Sequence, residues 1–114
     1  MDMHVLQVSV EQVPAAAIVR VVGDVSAANI DPFRKALADA IARKQPKVVI
    51  DLRQTTFLSS PGLAVLVQAL QLAQRGGSQL FLAGANDRVR GIFEIARLTE
   101  VFKLVPSVED ATGA

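Results

Sequence analysis

The feature that most constrains the fold is a short, almost continuously apolar run in the middle of the chain, KVVIDL at residues 47–52. A strand with one solvated face alternates apolar and polar residues, whereas a strand covered on both faces is apolar throughout. A second such run, QLFLA at residues 79–83, follows after one amphipathic stretch. Two buried strands separated by a helix predict a crossover connection within a largely parallel or mixed sheet.

The flanking segments extend this pattern to the order ββαβαβαβ. Residues 3–10 alternate like a half-buried strand, and Val13-Pro14 separates them from a second apolar run at residues 16–22, which predicts a hairpin. A last strand is predicted at residues 101–105, followed by a terminal turn at residues 107–111.

Three helices are predicted between these strands. The first begins at Pro32 with Asp31 as its cap, because proline suits the first helical position. The other two are predicted at residues 61–75 and from residue 86 or 87 to residue 96. The stretch RQTTFLSS, residues 53–60, is predicted as a loop, with Arg53 and Gln54 solvated.

Composition excludes several classes of function. The chain has 12 lysines and arginines and 11 acidic residues, so its net charge provides no basic field to hold the phosphates of a nucleic acid. The chain has no cysteine, which rules out disulfides and thiolate sites and fits a reducing cytoplasm. No signal peptide and no apolar run of about 18–20 residues is present. We therefore expect one cytoplasmic domain over residues 1–114, with no direct membrane insertion.

Catalytic chemistry has little support in the sequence. The single histidine, His4, lies near the start of the first strand, far from any matching serine and aspartate pattern. The acids are scattered without a metal-binding spacing, and Gly76-Gly77 closes a helix instead of cradling a phosphate. The sequence predicts neither an enzyme nor a metal or cofactor site.

The stretch FLSSPGLAVLVQAL, residues 57–70, places two hydroxyls at the start of an apolar helix. With Pro61 at the first helical position, Ser60 is predicted as the N-cap, accepting from the N–H of Gly62 or Leu63 and contributing about 1 kcal/mol. A helix N-terminus also tolerates a phosphate, and a phosphoserine there would add about −1.5 to −2 charges without melting the helix. Both interpretations, a cap and a switch, remain open.

The same helix is apolar well beyond one face. Val65, Ala69 and Leu72 lie beside the stripe expected to face the core. They indicate either a wide contact with the sheet and a neighbouring helix, or a partner-binding edge next to Ser60.

The block DLRQTTFLSSPGL, residues 51–63, resembles the STAS domain of bacterial anti-sigma factor antagonists and related modules. The family typically reads Asp-Leu-x-x-x-x-Phe-hydrophobic-Asp-Ser-Ser/Thr-Gly-Leu, and the resemblance continues on both sides, from about residue 5 to residue 111. The matching positions are Asp51, Leu52, Phe57, Leu58, Gly62 and Leu63.

This resemblance implies an α/β fold with a mixed β-sheet of four to five strands and helices packed mainly on one face. It also implies a function, in which the motif serine is phosphorylated by a partner anti-sigma factor that is itself a serine kinase. The unphosphorylated antagonist binds that partner and frees the sigma factor, and a phosphatase resets the switch. The motif serine corresponds to Ser60.

Two residues depart from the motif. Ser59 stands where the family has aspartate, and Pro61 follows the acceptor serine. Loss of the carboxylate predicts slower or absent phosphorylation of Ser60, with Ser59 as a second, weaker acceptor. The alternative function is therefore a non-phosphorylated scaffold or transport-complex subunit that binds its partner constitutively.

Asp24 and Asn29 precede the first helix and are expected on the same side of the fold as Ser60, where they would bind the partner or simply form the turn and cap. The full predicted partner-binding set is Asp24, Asn29, Ser59, Ser60, Pro61, Gly62, Val65, Ala69 and Leu72.

Overall fold

The computed structural model describes residues 6–113 and contains one mixed sheet in the strand order β1-β2-β3-β4-β5. β1 pairs antiparallel with β2 through the predicted hairpin, and the remaining neighbours pair in parallel. The strands are β1 (Gln7–Val13), β2 (Ala16–Val25), β3 (Lys47–Leu58), β4 (Gln79–Ala83) and β5 (Lys103–Val105).

The helices alternate with the parallel strands, as the crossover pattern predicts. A short 3-10 turn over Ala27–Asn29 leads into the first helix. The helices are α1 (Ile30–Ala42), α2 (Ser60–Arg75), α3 (Asp87–Ile95) and α4 (Val108–Thr112). The α/β class and the five-stranded mixed sheet are confirmed.

The main core lies between the sheet and the layer of α1, α2 and α3. Alternate residues of β3 show why, since Val48, Ile50 and Leu52 join that core while Val49 points to the opposite face. There α4 packs through Ala111, which is 1% exposed. Helices on both faces explain why β3 has no polar alternation in its first half.

The prediction of a loop at residues 53–60 is wrong, because β3 continues to Leu58. β2 is also longer than predicted, and its Asp24 and Val25 pair with Phe57 and Leu58. The Gly23-Asp24 dipeptide looks like a turn in sequence, but the strand passes through it with a register shift. Pairing between distant segments thus decides the conformation of this stretch.

Helix α1 begins at Ile30, two residues before the predicted start, and Asn29 takes the cap position instead of Asp31. Because the preceding 3-10 turn already directs the chain into the helix, Asp31 lies in the first turn and pairs with Arg34 at 2.8 Å. The predicted terminal turn forms the short helix α4. His4 and the start of the predicted first strand lie outside the described residues.

Within residues 6–113, no helix has the length and apolarity needed to cross a membrane.

Candidate functional site

The carboxyl ends of β2 and β3 lie side by side, and α2 starts directly at this edge. Val25 pairs with Leu58, and the Ser59 N–H donates to the Val25 carbonyl at 2.9 Å. The chain then turns into α2 at Ser60. Because parallel strands end at the same edge of a sheet, the two serines are placed beside the loop that follows β2.

The N-cap of α2 is Ser59, so the prediction that Ser60 is the cap is wrong. Ser59 has extended backbone angles, and its Oγ accepts from the Gly62 N–H at 3.3 Å. Its carbonyl accepts from the Leu63 N–H at 3.0 Å. Ser60 is the first helical residue and Pro61 the second, since proline is tolerated throughout a first turn that needs no N–H donor.

We expect Ser59→Ala to lower the free energy of unfolding by about 1 kcal/mol, because the cap acceptor is lost. Ser59→Asp keeps the acceptor, adds a negative charge at the positive end of α2, and should restore or exceed wild-type stability. Urea denaturation of the wild type, Ser59→Ala and Ser59→Asp measures these differences in the free energy of unfolding. Equal stability of the wild type and the alanine variant would contradict the assignment of Ser59 as the cap.

Ser60 is exposed, and no side-chain hydrogen bond within residues 6–113 engages its hydroxyl. The first turn of α2 contains no acidic residue. The Ser60 hydroxyl therefore lies at the positive end of a 16-residue helix, in a position where added negative charge is stabilised.

Gly62 is buried where α2 crosses β2. A Cβ at this position would lie 3.0 Å from the Cγ1 of Val25, so the glycine permits a close approach of helix and strand. In this structure Gly62 has a packing role, and Pro61 beside it is exposed.

Two of the residues predicted to form a docking edge on α2 are buried. Val65 is 5% exposed and Ala69 is 3% exposed, because α1 packs against this side of α2. The expectation that they offer an exposed surface is wrong, and the alternative of a wide contact with the sheet and a neighbouring helix applies. Leu72, at 49% exposed, remains accessible on the same helix.

Asp24, near the end of β2, and Asn29, in the turn that follows, are half-buried and form hydrogen bonds around this end of the strand. The Asn29 side chain accepts from the Ser26 N–H at 2.8 Å and donates to the Asp24 carbonyl at 2.9 Å. The Asp24 carboxylate accepts from the hydroxyl of Thr56 on the neighbouring strand. These contacts hold the turn beside the carboxyl end of β3, on the same side as Ser60.

A shallow apolar groove, which we call the Ser60 groove, lies between the start of α2 and the last turn of α3. Its most exposed large apolar residue is Ile95, which is 88% exposed, and Phe57 on β3 is 40% exposed. The lining residues are Phe57, Leu58, Ser60, Leu63, Ile92, Ile95 and Ala96.

Sequence reasoning missed this groove as a candidate site. Ile95 carried a usable signal, since it falls outside the stripe formed by Val89 and Phe93, the two buried residues of α3. A large aliphatic side chain on the solvent side of a short amphipathic helix is unusual and marks a candidate contact surface. The closeness of Ile95 to Ser60 has no local signal, since the two residues are 35 positions apart in the sequence.

The motif residue Asp51 has a structural role on the other face of the sheet. It is 1% exposed, and its carboxylate accepts from Nε and Nη2 of Arg53 at 3.1 and 3.0 Å and from Nε of Arg20 at 3.4 Å. Arg53 and Gln54 were predicted as solvated loop residues; both are exposed but belong to β3. Gly84, with φ of +74°, leaves space for the Arg53 side chain, because a Cβ there would lie 2.3 Å from its Cγ.

Burial alone would raise the pKa of Asp51, but hydrogen bonds from Arg53 and Arg20 and the charge of Arg53 hold that pKa below its ordinary value. A carboxyl group whose pKa is lower in the folded state stabilises the fold above the unfolded-state pKa, about 4, and this stability is lost as pH falls through the folded pKa. We expect Asp51→Asn to lower the free energy of unfolding by about 1–2 kcal/mol at pH 7. This deficit should shrink as the pH falls below about 4, toward the lowered pKa of Asp51 in the folded protein.

Denaturant titrations of both proteins from pH 7 to pH 2 measure this difference. A constant deficit across that range would contradict a stabilising role for the ionised carboxylate. Arg34→Gln, at an exposed position of α1, is the control, since surface ion pairs such as Asp31–Arg34 contribute little.

Among residues 6–113, no group of three or more acidic or histidine side chains is arranged to hold a metal ion.

The fold and site define an α/β domain with a mixed five-stranded sheet and an exposed serine where one crossover helix begins. The family model that describes the STAS domain matches residues 7–111 of this chain. The chain belongs to the STAS domain family.

The relatives are named as anti-sigma factor antagonists. BtrV of Bordetella bronchiseptica, a candidate antagonist by name, is 31% identical over 110 residues, or 96% of this chain and 94% of that protein. The anti-sigma F factor antagonist of Paenibacillus polymyxa is 26% identical over 110 residues, or 96% of this chain and 92% of that protein. An anti-sigma factor antagonist from Mycobacterium paratuberculosis has a crystal structure with a TM-score of 0.87 at 23% identity, covering 96% and 92% of the two chains. That structural likeness concerns the fold.

Proposed function

We propose that this protein is a regulatory binding module that binds an anti-sigma factor of the serine-kinase type and is switched by phosphorylation of Ser60. The observation that carries the proposal is the exposed Ser60 hydroxyl at the rim of an apolar groove. A phosphatase would reset the switch. Because the kinase consumes ATP, we expect phosphorylation and dephosphorylation to take place in the cytoplasm.

The contacts of the two serines favour Ser60 over Ser59 as the acceptor. The Ser59 hydroxyl is half-buried and accepts a hydrogen bond from the Gly62 N–H. A phosphate on Ser59 would have to replace this cap contact, whereas a phosphate on Ser60 can project into solvent from the first turn of α2. Removing the cap would cost about 1 kcal/mol, so modification of Ser60 disturbs the fold less.

Phosphate on Ser60 would act on the partner and not on the fold. The group adds about −1.5 to −2 charges at neutral pH, next to the positive end of α2, which tolerates them. The Ser60 groove is lined mainly by apolar side chains, so a partner covering it would have to desolvate that charge. Binding would then be lost while the helix and sheet stay intact.

Asp24 and Asn29 complete the proposed contact region with smaller roles, and Leu72 lies apart from it. Asp24 and Asn29 shape the turn beside Ser60, so a partner reaching over the carboxyl end of β2 would meet them. Leu72 lies at the other end of α2, in a separate groove between α1 and α2. It would contribute only to a partner that extends along the whole helix.

Ser59 in place of the family aspartate supports a second candidate function. Without that carboxylate, phosphate transfer to Ser60 is expected to be slow, and the same surface would then bind a scaffold or transport-complex partner constitutively. The two candidates share the Ser60 groove and differ in whether Ser60 is modified.

The deciding experiment is incubation of the purified protein with the serine-kinase anti-sigma factor of its host and Mg-ATP, followed by intact mass and peptide mapping. The switch predicts one added phosphate on Ser60, none on Ser60→Ala, and faster transfer to Ser59→Asp. A stable complex that never becomes phosphorylated would support the constitutive module. If neither a complex nor a phosphate is detected, the phosphorylation switch is refuted, and a constitutive module would have to bind a partner other than this kinase.

A further inference from the structure

We propose that Asn86 is a positioning residue that fixes the two walls of the Ser60 groove relative to each other. One wall is formed by the end of β3 and the start of α2, and the other by α3. Asn86 lies at the N-cap of α3 and makes hydrogen bonds toward both. The consequence for partner binding rests on the function proposed above, whereas the effect on the groove does not.

The need for such a contact follows from the strand pairing. β4 pairs with β3 only over Lys47–Asp51, while β2 continues to pair as far as Leu58. The second half of β3 therefore extends beyond β4 on one side. Its pairing with β2 also contains register shifts, which weaken the ladder.

Asn86 supplies a hydrogen bond to the second half of β3, on the side where β4 no longer pairs with it. Its Nδ2 donates to the carbonyl of Thr55 at 3.2 Å, in the middle of the extended half of β3. Its Oδ1 accepts from the N–H of Val89 at 2.9 Å, which caps α3. One planar amide thus connects β3, two residues before Phe57, to the helix that carries Ile92 and Ile95.

The chemistry of these two bonds requires an amide. A hydroxyl or carboxylate at this position could still accept from the Val89 N–H, but an ionised carboxylate has no proton to donate to the Thr55 carbonyl. Asn86→Asp therefore keeps the cap and removes only the bond to β3. Asn86→Ser also keeps an acceptor for the cap, is neutral, and is too short to span both partners.

The first test is amide hydrogen exchange, which needs no partner. In Asn86→Asp and Asn86→Ser, residues 55–60 should exchange about fivefold faster through local opening, as expected for loss of one ordinary hydrogen bond. The amides of β4 should keep wild-type protection, and the melting temperature of the aspartate variant should fall only by the few degrees that one hydrogen bond accounts for, because the cap of α3 is kept. Asn86→Ala loses both bonds and should also lower the melting temperature.

The second test is the affinity of each variant for the purified serine-kinase anti-sigma factor. We expect Asn86→Asp and Asn86→Ser to bind several-fold more weakly, although their melting temperatures should fall less than that of Asn86→Ala, which loses both bonds. Wild-type exchange at residues 55–60 in both variants would overturn the proposal, as would a drop in protection spread evenly over the sheet. If the kinase fails to bind the wild-type protein, the proposed function is wrong, while the exchange result still decides the role of Asn86.

Discussion

Ser60→Asp is expected to lower the affinity for the anti-sigma factor by at least about 100-fold while the fold stays as stable as the wild type. The carboxylate would lie at the first helical position of α2, where the helix dipole favours negative charge by about 0.3–1 kcal/mol. The same charge borders the apolar Ser60 groove, and covering it without a partner costs several kcal/mol. Thermal unfolding and calorimetric titration measure the two effects separately.

Ser60→Asn is the matched control, because it has nearly the same shape as the aspartate variant and carries no charge. We expect it to bind within about threefold of the wild type. Ser60→Ala should unfold like the wild type, since the cap belongs to Ser59. Equal affinity of the aspartate and asparagine variants would refute a charge-based switch at this position.

The second large effect is expected for Ile95→Asp, which should weaken binding of the same partner by about 30-fold or more. Exposed aliphatic side chains that become buried at the centre of an interface account for about 2 kcal/mol or more when they are lost. Because Ile95 is 88% exposed in the free protein, folding loses little packing. An aspartate in the last turn of α3 opposes the helix dipole by only a few tenths of a kcal/mol.

Leu72→Asp provides the comparison for Ile95→Asp. Leu72 is also exposed, also near the C-terminal end of its helix, and lines the groove between α1 and α2 instead of the Ser60 groove. We expect its affinity to stay within about threefold of the wild type. The reverse result, with only Leu72→Asp impaired, would place the docking surface on α2 as the sequence first suggested.

Much of the fold follows from the spacing of apolar residues and turn residues within short segments of the sequence. β4 is predicted with its observed bounds, and the hairpin of β1 and β2 follows from alternation and from Pro14. The helical stripe that includes Leu66 and Leu70 is buried as its spacing requires. These features depend on which side chains recur on one face of a short segment, and the sequence records that directly.

The site is harder to predict, because each of its features depends on contacts between distant segments. Residues 53–58 are extended because β2 pairs with this part of β3, and the exposed polar residues Arg53 and Gln54 make the segment look like a loop, although threonine and phenylalanine favour strands. The cap moves from Ser60 to Ser59 because the Ser59 N–H is bound by β2, which sets where the helix can begin. Two apolar helix residues, Val65 and Ala69, are buried because α1 covers them.

The sequence by itself therefore determined the order of the elements, the mixed sheet, the core-facing stripes and the motif that identifies the family. Only the tertiary structure decided which of two adjacent serines is exposed and which apolar residues surround it. The physical reason is that periodicity and capping act within a few residues. The Ser60 groove, in contrast, exists only where β3, α2 and α3 meet, and burial there depends on which helix packs against which strand.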